Sequence, residues 1–469
     1  MNSKVMDRED VKKLIYNRFI EPTKSKREVF IGVEIELPII NLKKNPVSFD
    51  LVHKLTKLFK DKFDFEVKSI DEDGNISTLE NNLNGDIYTY DCSYNNIEFS
   101  FGKEKKIYNV YKRFKEYYLF IQEILNEENH ILSGFGVNPY RNYNNLVPIP
   151  NGRYRMLYHH LSTYPKFSNQ KEFHKLPEYG MFTSASQVQI DVDYNNLIET
   201  ITAFSKLEPI KAILFSNSIL YPENMDLICS RDMLWEKSMQ GYNKKNVGMY
   251  DPIPKDINEF LEYMLDLSIY CCERGNKYIN FTPTLISDYF NKKEIIGEYY
   301  NDGKYKKIKF KPELNDFKYF RTFKFEDITF RGTIEFRSVC CQPVEDSLTV
   351  PAFHLGLITK VKELNELLDN DTTIYNQGYS SSDLRELFIK ADIPAWVNQE
   401  NLKKLLKKVL DLASDGLKSR KNNEEEFLKP LYERAKILDN PAQKLIRNLN
   451  SDNTLEEMIV SYSKLPKDI

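Results

Sequence analysis

The chain has 469 residues, 41% of them hydrophobic, enough for one large domain or two or three ordinary ones with a sizeable core. Its 66 basic and 69 acidic residues leave a formal net charge of −3, which argues against an extended nucleic-acid surface, since such surfaces usually make a domain basic. No apolar run of about 18 residues offers a membrane span, Met1–Glu9 lacks the apolar core of a secretory signal, and Cys92, Cys229, Cys271, Cys272, Cys340 and Cys341 follow no Cys-x-x-Cys spacing, so a reduced, cytoplasmic protein is expected.

Residues 7–20 carry a helical stripe of Val11, Leu14, Ile15 and Ile20. A strand over Val29–Leu37 follows, with Pro38 bounding its regular part. Residues 48–61 read as a helix capped by Ser48, with Asp50 in its first turn. Phe63–Ile70, Ile76–Leu79, Ile87–Tyr90 and Ile97–Phe101 read as strands joined by Gly and Asn turns, before a long helical pattern over 103–128 and a strand over Ile131–Val137. Asn138–Gly152, with Pro139, Pro148 and Pro150, reads as an irregular loop. A helix over 153–162, a strand over 182–193 and a helix over Leu197–Phe215 broken at Pro209 come next. The polar, aromatic, proline-interrupted region 240–328 is expected to form loops and short helices around a site entrance. After a strand over Phe330–Arg337, residues 345–463 are helical almost throughout. The organisation expected is a catalytic domain over 1–358 with a helical region over 359–469 packed on it.

Four strand-like segments share one pattern. In Gly32–Leu37, Asn96–Ser100, Gln187–Asp193 and Thr333–Arg337, apolar residues alternate with carboxylates or amides. Side chains two apart on a strand share a face, so Val33, Ile35 and Leu37 point to a core while Glu34 and Glu36 point together to the other side. If these strands adjoin, one face of the sheet carries four or more carboxylates and repels itself unless cations neutralise it. Such oxygen-rich faces suit Mg²⁺, which commonly also takes oxygens from a substrate phosphate. Asp91 and Glu98 flank a turn and can approach the same face. Gln187, Gln189 and Asp191 share a strand face, where an amide can complete a metal shell or hold an amino acid. Glu335 and Arg337 lie two apart, a carboxylate for a metal beside a guanidinium that forks onto phosphate oxygens. There is no Gly-x₄-Gly-Lys-[Ser/Thr] loop, no Gly-x-Gly-x-x-Gly fingerprint after a strand and no Gly-x-Ser-x-Gly elbow.

In their order along the chain these segments resemble the glutamate–cysteine ligases. The residues that carry the resemblance are Gly32–Glu36, Asp91–Glu98, Arg153-Tyr154, Val188–Asp193, Ser230–Asp232 with Trp235, and Glu335-Phe336-Arg337, together with Glu208-Pro209 and Phe215–Ser218. The resemblance implies an α+β fold like the glutamine synthetase catalytic domain, a curved, largely antiparallel sheet forming a funnel with helices outside. It implies ATP and two or three Mg²⁺ ions, with Glu34, Glu36, Asp91, Glu98, Gln189 and Glu335 as metal ligands. Arg337 and Arg153 would act on the ATP phosphates and the transferring phosphoryl group, and Arg231 and Gln187 would bind substrate. The reaction implied joins the γ-carboxylate of glutamate, activated as an acyl phosphate, to the amine of cysteine in glutathione biosynthesis. Ser338-Val339-Cys340-Cys341 stands where plant-like members have Gly-Ala-Asp, which leaves open a related ligase with another amine acceptor. A binding protein that keeps the sheet without the chemistry is a third reading.

Overall fold

The computed structural model describes residues 6–25, 28–451 and 453–466; residues 1–5 and 467–469, at the ends of the two expected regions, lie outside them. The first seven of the nine strands of its main sheet are β1 (Ile31–Asn41), β2 (Glu66–Ile70), β3 (Ile76–Glu80), β4 (Ile87–Tyr90), β5 (Asn96–Glu104), β6 (His130–Leu132) and β7 (Ser186–Asp191). Further on come β8 (Val247–Gly248), β9 (Ser268–Arg274), β10 (Lys277–Leu285), β11 (Ile295–Asn301), β12 (Lys304–Phe310), β13 (Phe323–Lys324), β14 (Glu326–Ile328) and β15 (Thr333–Phe336). The main sheet runs in the order β14-β15-β7-β1-β5-β4-β3-β2, with β6 on the far end of β1, and its pairings are antiparallel.

Alternation gives this sheet two unlike faces. Val33, Ile35, Leu37, Ile97, Phe99, Val188, Ile190, Ile334 and Phe336 are buried in one hydrophobic core. The helices ahead of the C-terminal region are α1 (Arg8–Ile15), α2 (Phe49–Lys62), α3 (Ile107–Glu127), α4 (Gly152–Ser162), α5 (Leu197–Phe215), α6 (Ser230–Glu236), α7 (Ile257–Leu265), α8 (Ile286–Tyr289) and α9 (Thr349–Ile358). Of these, α2, α3, α5 and α9 cover the apolar face, sharing its core. Ser48 caps α2 as expected, its hydroxyl accepting from the Leu51 N–H at 3.3 Å. The α+β class, the largely antiparallel sheet with helices on one face and the helical C-terminal region are those anticipated.

The C-terminal helices are α10 (Val361–Asp369), α11 (Ser381–Phe388), α12 (Gln399–Ser419), α13 (Lys429–Ile437), α14 (Pro441–Leu449) and α15 (Leu455–Ser461). Amphipathic α12 buries Leu402, Leu405, Leu406, Val409, Leu410, Ala413 and Leu417 and lies across α9. The crossing is close because both helices present glycine, Gly356 and Gly416, at the contact.

Three expectations about elements are corrected. The strand β1 continues through Pro38 to Asn41. The β7 ladder ends at Ile35 and the β6 ladder starts at Ile39, so the proline falls between two partners, where no ladder needs its missing N–H. The helix α5 runs unbroken over Leu197–Phe215 with Pro209 inside, because every residue from Leu207 to Phe215 is buried and that packing outweighs one lost backbone bond. Region 240–328 contains a four-stranded antiparallel sheet, β12-β11-β10-β9, instead of loops and short helices alone. Its turns, at Gly275-Asn276 and Asp302-Gly303, have positive φ at both residues and are ordinary hairpin signals. The strands between them are so rich in Lys, Tyr and Asn that their alternation is hard to read.

Candidate active site

The sheet's polar face is the floor of a cavity of about 750 Å³, and all ten residues singled out in the sequence line it. They come from six segments that register brings together. Glu36 of β1 lies opposite Glu98 of β5, Glu34 opposite Gln187 of β7, and Gln189 of β7 opposite Glu335 of β15. Asp91 enters from the end of β4, where Cys92 takes a left-handed conformation (φ 58°) and turns the chain. Arg153 sits in the first turn of α4, whose Asn151 cap accepts from the Tyr154 N–H at 2.9 Å. Arg231 lies in the first turn of α6, and Arg337 follows β15.

The carboxylates are held against their preference. Burial, then the charges of Glu335, Glu98 and Glu36, push the Glu34 carboxyl well above the ordinary range, with Arg337 pulling the other way. Burial, Asp91 and Glu98 do the same to Glu36. Burial raises Asp91, against the Cys92 thiol and Arg153, Arg337 and Arg231. Glu98 is raised to about 7 by burial and Asp91, even though it accepts from Ser100 Oγ at 2.6 Å. Self-repulsion of this kind costs stability.

The amides and arginines divide between structure and cavity. Glu36 accepts from the Ala185 N–H at 2.6 Å and from Gln187 Nε2 at 2.8 Å, which leaves Gln187 Oε1 buried with no hydrogen-bond partner. Gln189 donates to Glu34 at 3.3 Å while its carbonyl oxygen accepts from Arg331 at 2.6 Å. Arg231 donates from Nη1 to the Ser338 and Val339 carbonyls at 3.4 and 3.3 Å, and its Nε is buried without a partner. Arg337 reaches Asp327 at 3.5 Å and Glu335 at 4.0 Å, also with a buried Nε unpartnered. The Trp235 ring has both the Arg231 and Arg337 guanidinium carbons 5.4 Å from its centroid.

The donor set is chemically suited to a hard dication: carboxylate oxygens, and no histidine among the residues facing the cavity. Among the described residues, however, no three His, Cys, Asp or Glu side chains are already drawn into a finished metal cage. The shared acidic face is present, and the closed cage is not.

One residue beside the site escaped the sequence reading. Asp327 of β14 lies opposite Glu335 in register, accepts from Arg337, and is raised to about 6 by burial against the pull of Arg337. No alternation announced it, because in the three-residue strand Glu326-Asp327-Ile328 one of the two core-facing residues, Glu326, is itself an acid.

Fold and site thus define an α+β protein with an acidic, arginine-flanked cavity on one face of an antiparallel sheet. Sequence comparison finds the resemblance across much of the chain. It is 25% identical over 322 residues to the chloroplastic glutamate–cysteine ligase of Solanum lycopersicum, covering 67% of this chain and 56% of that protein. The corresponding protein of Arabidopsis thaliana is 24% identical over 328 residues, covering 68% and 58%, and that of Medicago truncatula 24% over 326, covering 67% and 58%. The matched part therefore spans less than two thirds of these relatives' length. No protein-family profile matches the chain. Among solved structures, the glutamate–cysteine ligase of Francisella tularensis in complex with AMP aligns with TM-score 0.49 at 12% identity, over 94% of this chain and 88% of that one. A bifunctional glutathione synthetase from Pasteurella multocida aligns with TM-score 0.45 at 10% identity, over 97% and 54%.

These relatives correct the expected location. The cytoplasmic expectation rested on the lack of a secretory core, but plastid-targeting segments carry no such core. The curated relatives are described as chloroplastic proteins, so the cytoplasmic expectation does not stand.

Proposed function

We propose that the protein is an ATP-dependent carboxylate–amine ligase that activates the γ-carboxylate of glutamate and joins it to the amine of cysteine. The observation that carries this reading is the convergence of ten residues from six separated segments on one cavity, five of them carboxylates raised or crowded by one another and three of them arginines. The similarity to plant glutamate–cysteine ligases supports it in sequence.

The chemistry needs an acyl donor better than a carboxylate, whose oxygen leaves poorly. Transfer of the γ-phosphoryl group of ATP to the substrate carboxylate gives an acyl phosphate and ADP; the amine then attacks the acyl carbon and phosphate leaves. In this reading Arg337 and Arg153 stabilise charge spread over the phosphoryl oxygens. The free Nε of Arg231 binds the α-carboxylate of glutamate, and Gln187 Oε1 accepts from its ammonium group. Glu34, Gln189 and Glu335 on one side, and Glu36, Asp91 and Glu98 on the other, would hold two or three Mg²⁺ ions. When bound, Mg²⁺ offsets the negative charge of carboxylates and phosphates.

The test is ADP formation with glutamate present, scanned over a panel of amines and repeated with Mg²⁺ withdrawn. Release that needs glutamate, Mg²⁺ and cysteine supports the reading. Cysteine no better than alanine or glycine would favour another acceptor, for which Ser338–Cys341 beside Arg337 is the sequence departure that speaks. No turnover with any amine would overturn it.

A further inference from the structure

The C-terminal helices supply no residue to the cavity, yet one of them reaches the segments that do. Arg385, in α11, is buried between α5 and α6, with its guanidinium carbon 4.6 Å from the Phe325 ring centroid. Its Nε donates to Asp232 Oδ2 at 2.6 Å and its Nη2 to Asp232 Oδ1 at 3.1 Å, a two-pronged grip on the residue next to Arg231. Its Nη1 donates to the Glu208 backbone carbonyl at 2.8 Å and to Glu208 Oε2 at 2.5 Å. Glu208 Oε1 in turn accepts from Ser338 Oγ at 2.9 Å, beside Arg337. Glu208 is an anion here: burial would push its carboxyl up, but Lys211 and Arg385 outweigh that and hold it at about 2.

A single guanidinium from outside the cavity thus ties the segment bearing Arg231 to the segment bearing Arg337. We infer that Arg385 is a positioning residue, which sets the spacing of Arg231 and Arg337 about the Trp235 ring and so makes the C-terminal helices part of the active-site frame. The inference deepens the ligase reading and rests on it for the identity of the substrate. A fork geometry is needed because three acceptors in different directions must be met at once, which an ammonium on a flexible stem does poorly. A buried ion pair serving stability alone would hold the fold without fixing the distance between two cavity arginines.

Removing Arg385 outright releases Asp232 and Glu208 together, the latter then held by Lys211 and Ser338 alone, so the decisive variant is Asp232→Ala, which releases the grip on α6 and leaves the Arg385–Glu208 pair. Both are compared in a Trp396→Phe background, where Trp235 is the sole tryptophan. With Asp232→Ala, the KM for glutamate rises about tenfold, the loss of one charge-assisted contact, the KM for ATP stays within about twofold, and acrylamide quenching of Trp235 increases; Asp232→Glu restores all three. Arg385→Lys moves the same quantities in the same direction. A lowered thermal midpoint with unchanged quenching and unchanged KM ratio overturns the inference. If the unmutated protein shows no glutamate-dependent ADP release, the ligase reading falls, and the quenching comparison, which needs no substrate, still decides whether Arg385 seats α6.

Discussion

Glu36 and Glu98 face each other as direct partners across the β1–β5 ladder, with both carboxylates toward the same cavity. Like charges opposite one another destabilise a sheet, and here Asp91 adds a third. A fold selected for stability alone would place a neutral or cationic residue at one of the two positions. Glu98→Gln is therefore expected to stabilise the metal-free protein, by about 1 kcal/mol, while lowering ADP formation about a hundredfold. Thermal melting in chelator and a coupled ADP assay check the two halves; a variant both less stable and fully active would remove the argument.

The same opposition predicts a pH dependence. A carboxyl raised by folding keeps a proton that the unfolded chain has already lost, so stability falls as pH rises from the unfolded value of 4.5 through the folded value of about 7. In metal-free protein the melting temperature should decline across that window, and the decline should be shallower in Glu98→Gln, which has lost one such group. Adding Mg²⁺ should raise the melting temperature more at pH 8 than at pH 5, since deprotonated carboxylates bind it. Equal slopes in the two proteins would show that Glu98 does not titrate there.

Arg337 is held between Glu335 and Asp327 with its Nε still unpartnered. Arg337→Ala should leave melting within a few degrees of the unmutated protein and reduce glutamate-dependent ADP formation by about 10²–10³-fold. Arg337→Lys should not rescue it, because a point charge does not reproduce the fork. Turnover near the unmutated level in either variant would count against a phosphoryl-stabilising role.

Asp327 gives a subtler expectation, since it touches Arg337 and lies outside the cavity lining. Asp327→Asn keeps the shape and removes the charge that orients the guanidinium. A loss of about tenfold in kcat is expected, typical of an outer-shell partner, with the KM for glutamate little changed. An effect on KM alone would place Asp327 with the substrate instead.

What the sequence disclosed and what it hid follow from periodicity. Val33, Ile35 and Leu37 alternate cleanly with Glu34 and Glu36, and period two is the strongest signal a half-buried strand can give. Arg153 and Arg231 were legible only through the resemblance, because neither shares a strand with the acids; the turn from Asn151 into α4 and the turn at Cys229 into α6 bring them in. Asp327 stayed hidden because β14 is only three residues long, and the β9–β12 sheet because its strands break the period-two pattern, as in Ile269-Tyr270-Cys271-Cys272 of β9 and the four lysines of β12. Arg385 belongs to an amphipathic helix whose pattern fixes which face is buried but cannot say that a buried arginine will meet Glu208 and Asp232, residues more than 150 positions away.

The crossing of α9 and α12 offers a test of the C-terminal frame that leaves the cavity untouched. A Cβ built on Gly416 would lie 2.0 Å from the Gly356 carbonyl oxygen, and one on Gly356 would lie 2.3 Å from the Ala413 carbonyl oxygen. These neighbours are backbone, so no side chain can swing aside, and the helices must separate. Gly416→Ala gains helix propensity yet forces the helices apart in a packed core, an overpacking that costs about 1–3 kcal/mol. The net expectation is a lower melting temperature with the KM values for glutamate and ATP preserved below the transition, because α9 covers the apolar face of β7 and β1 and the cavity lies on the other. Melting followed by circular dichroism decides it: an unchanged or raised midpoint would mean that the two helices yield at that crossing, and that their close contact does not hold the C-terminal helices to the sheet.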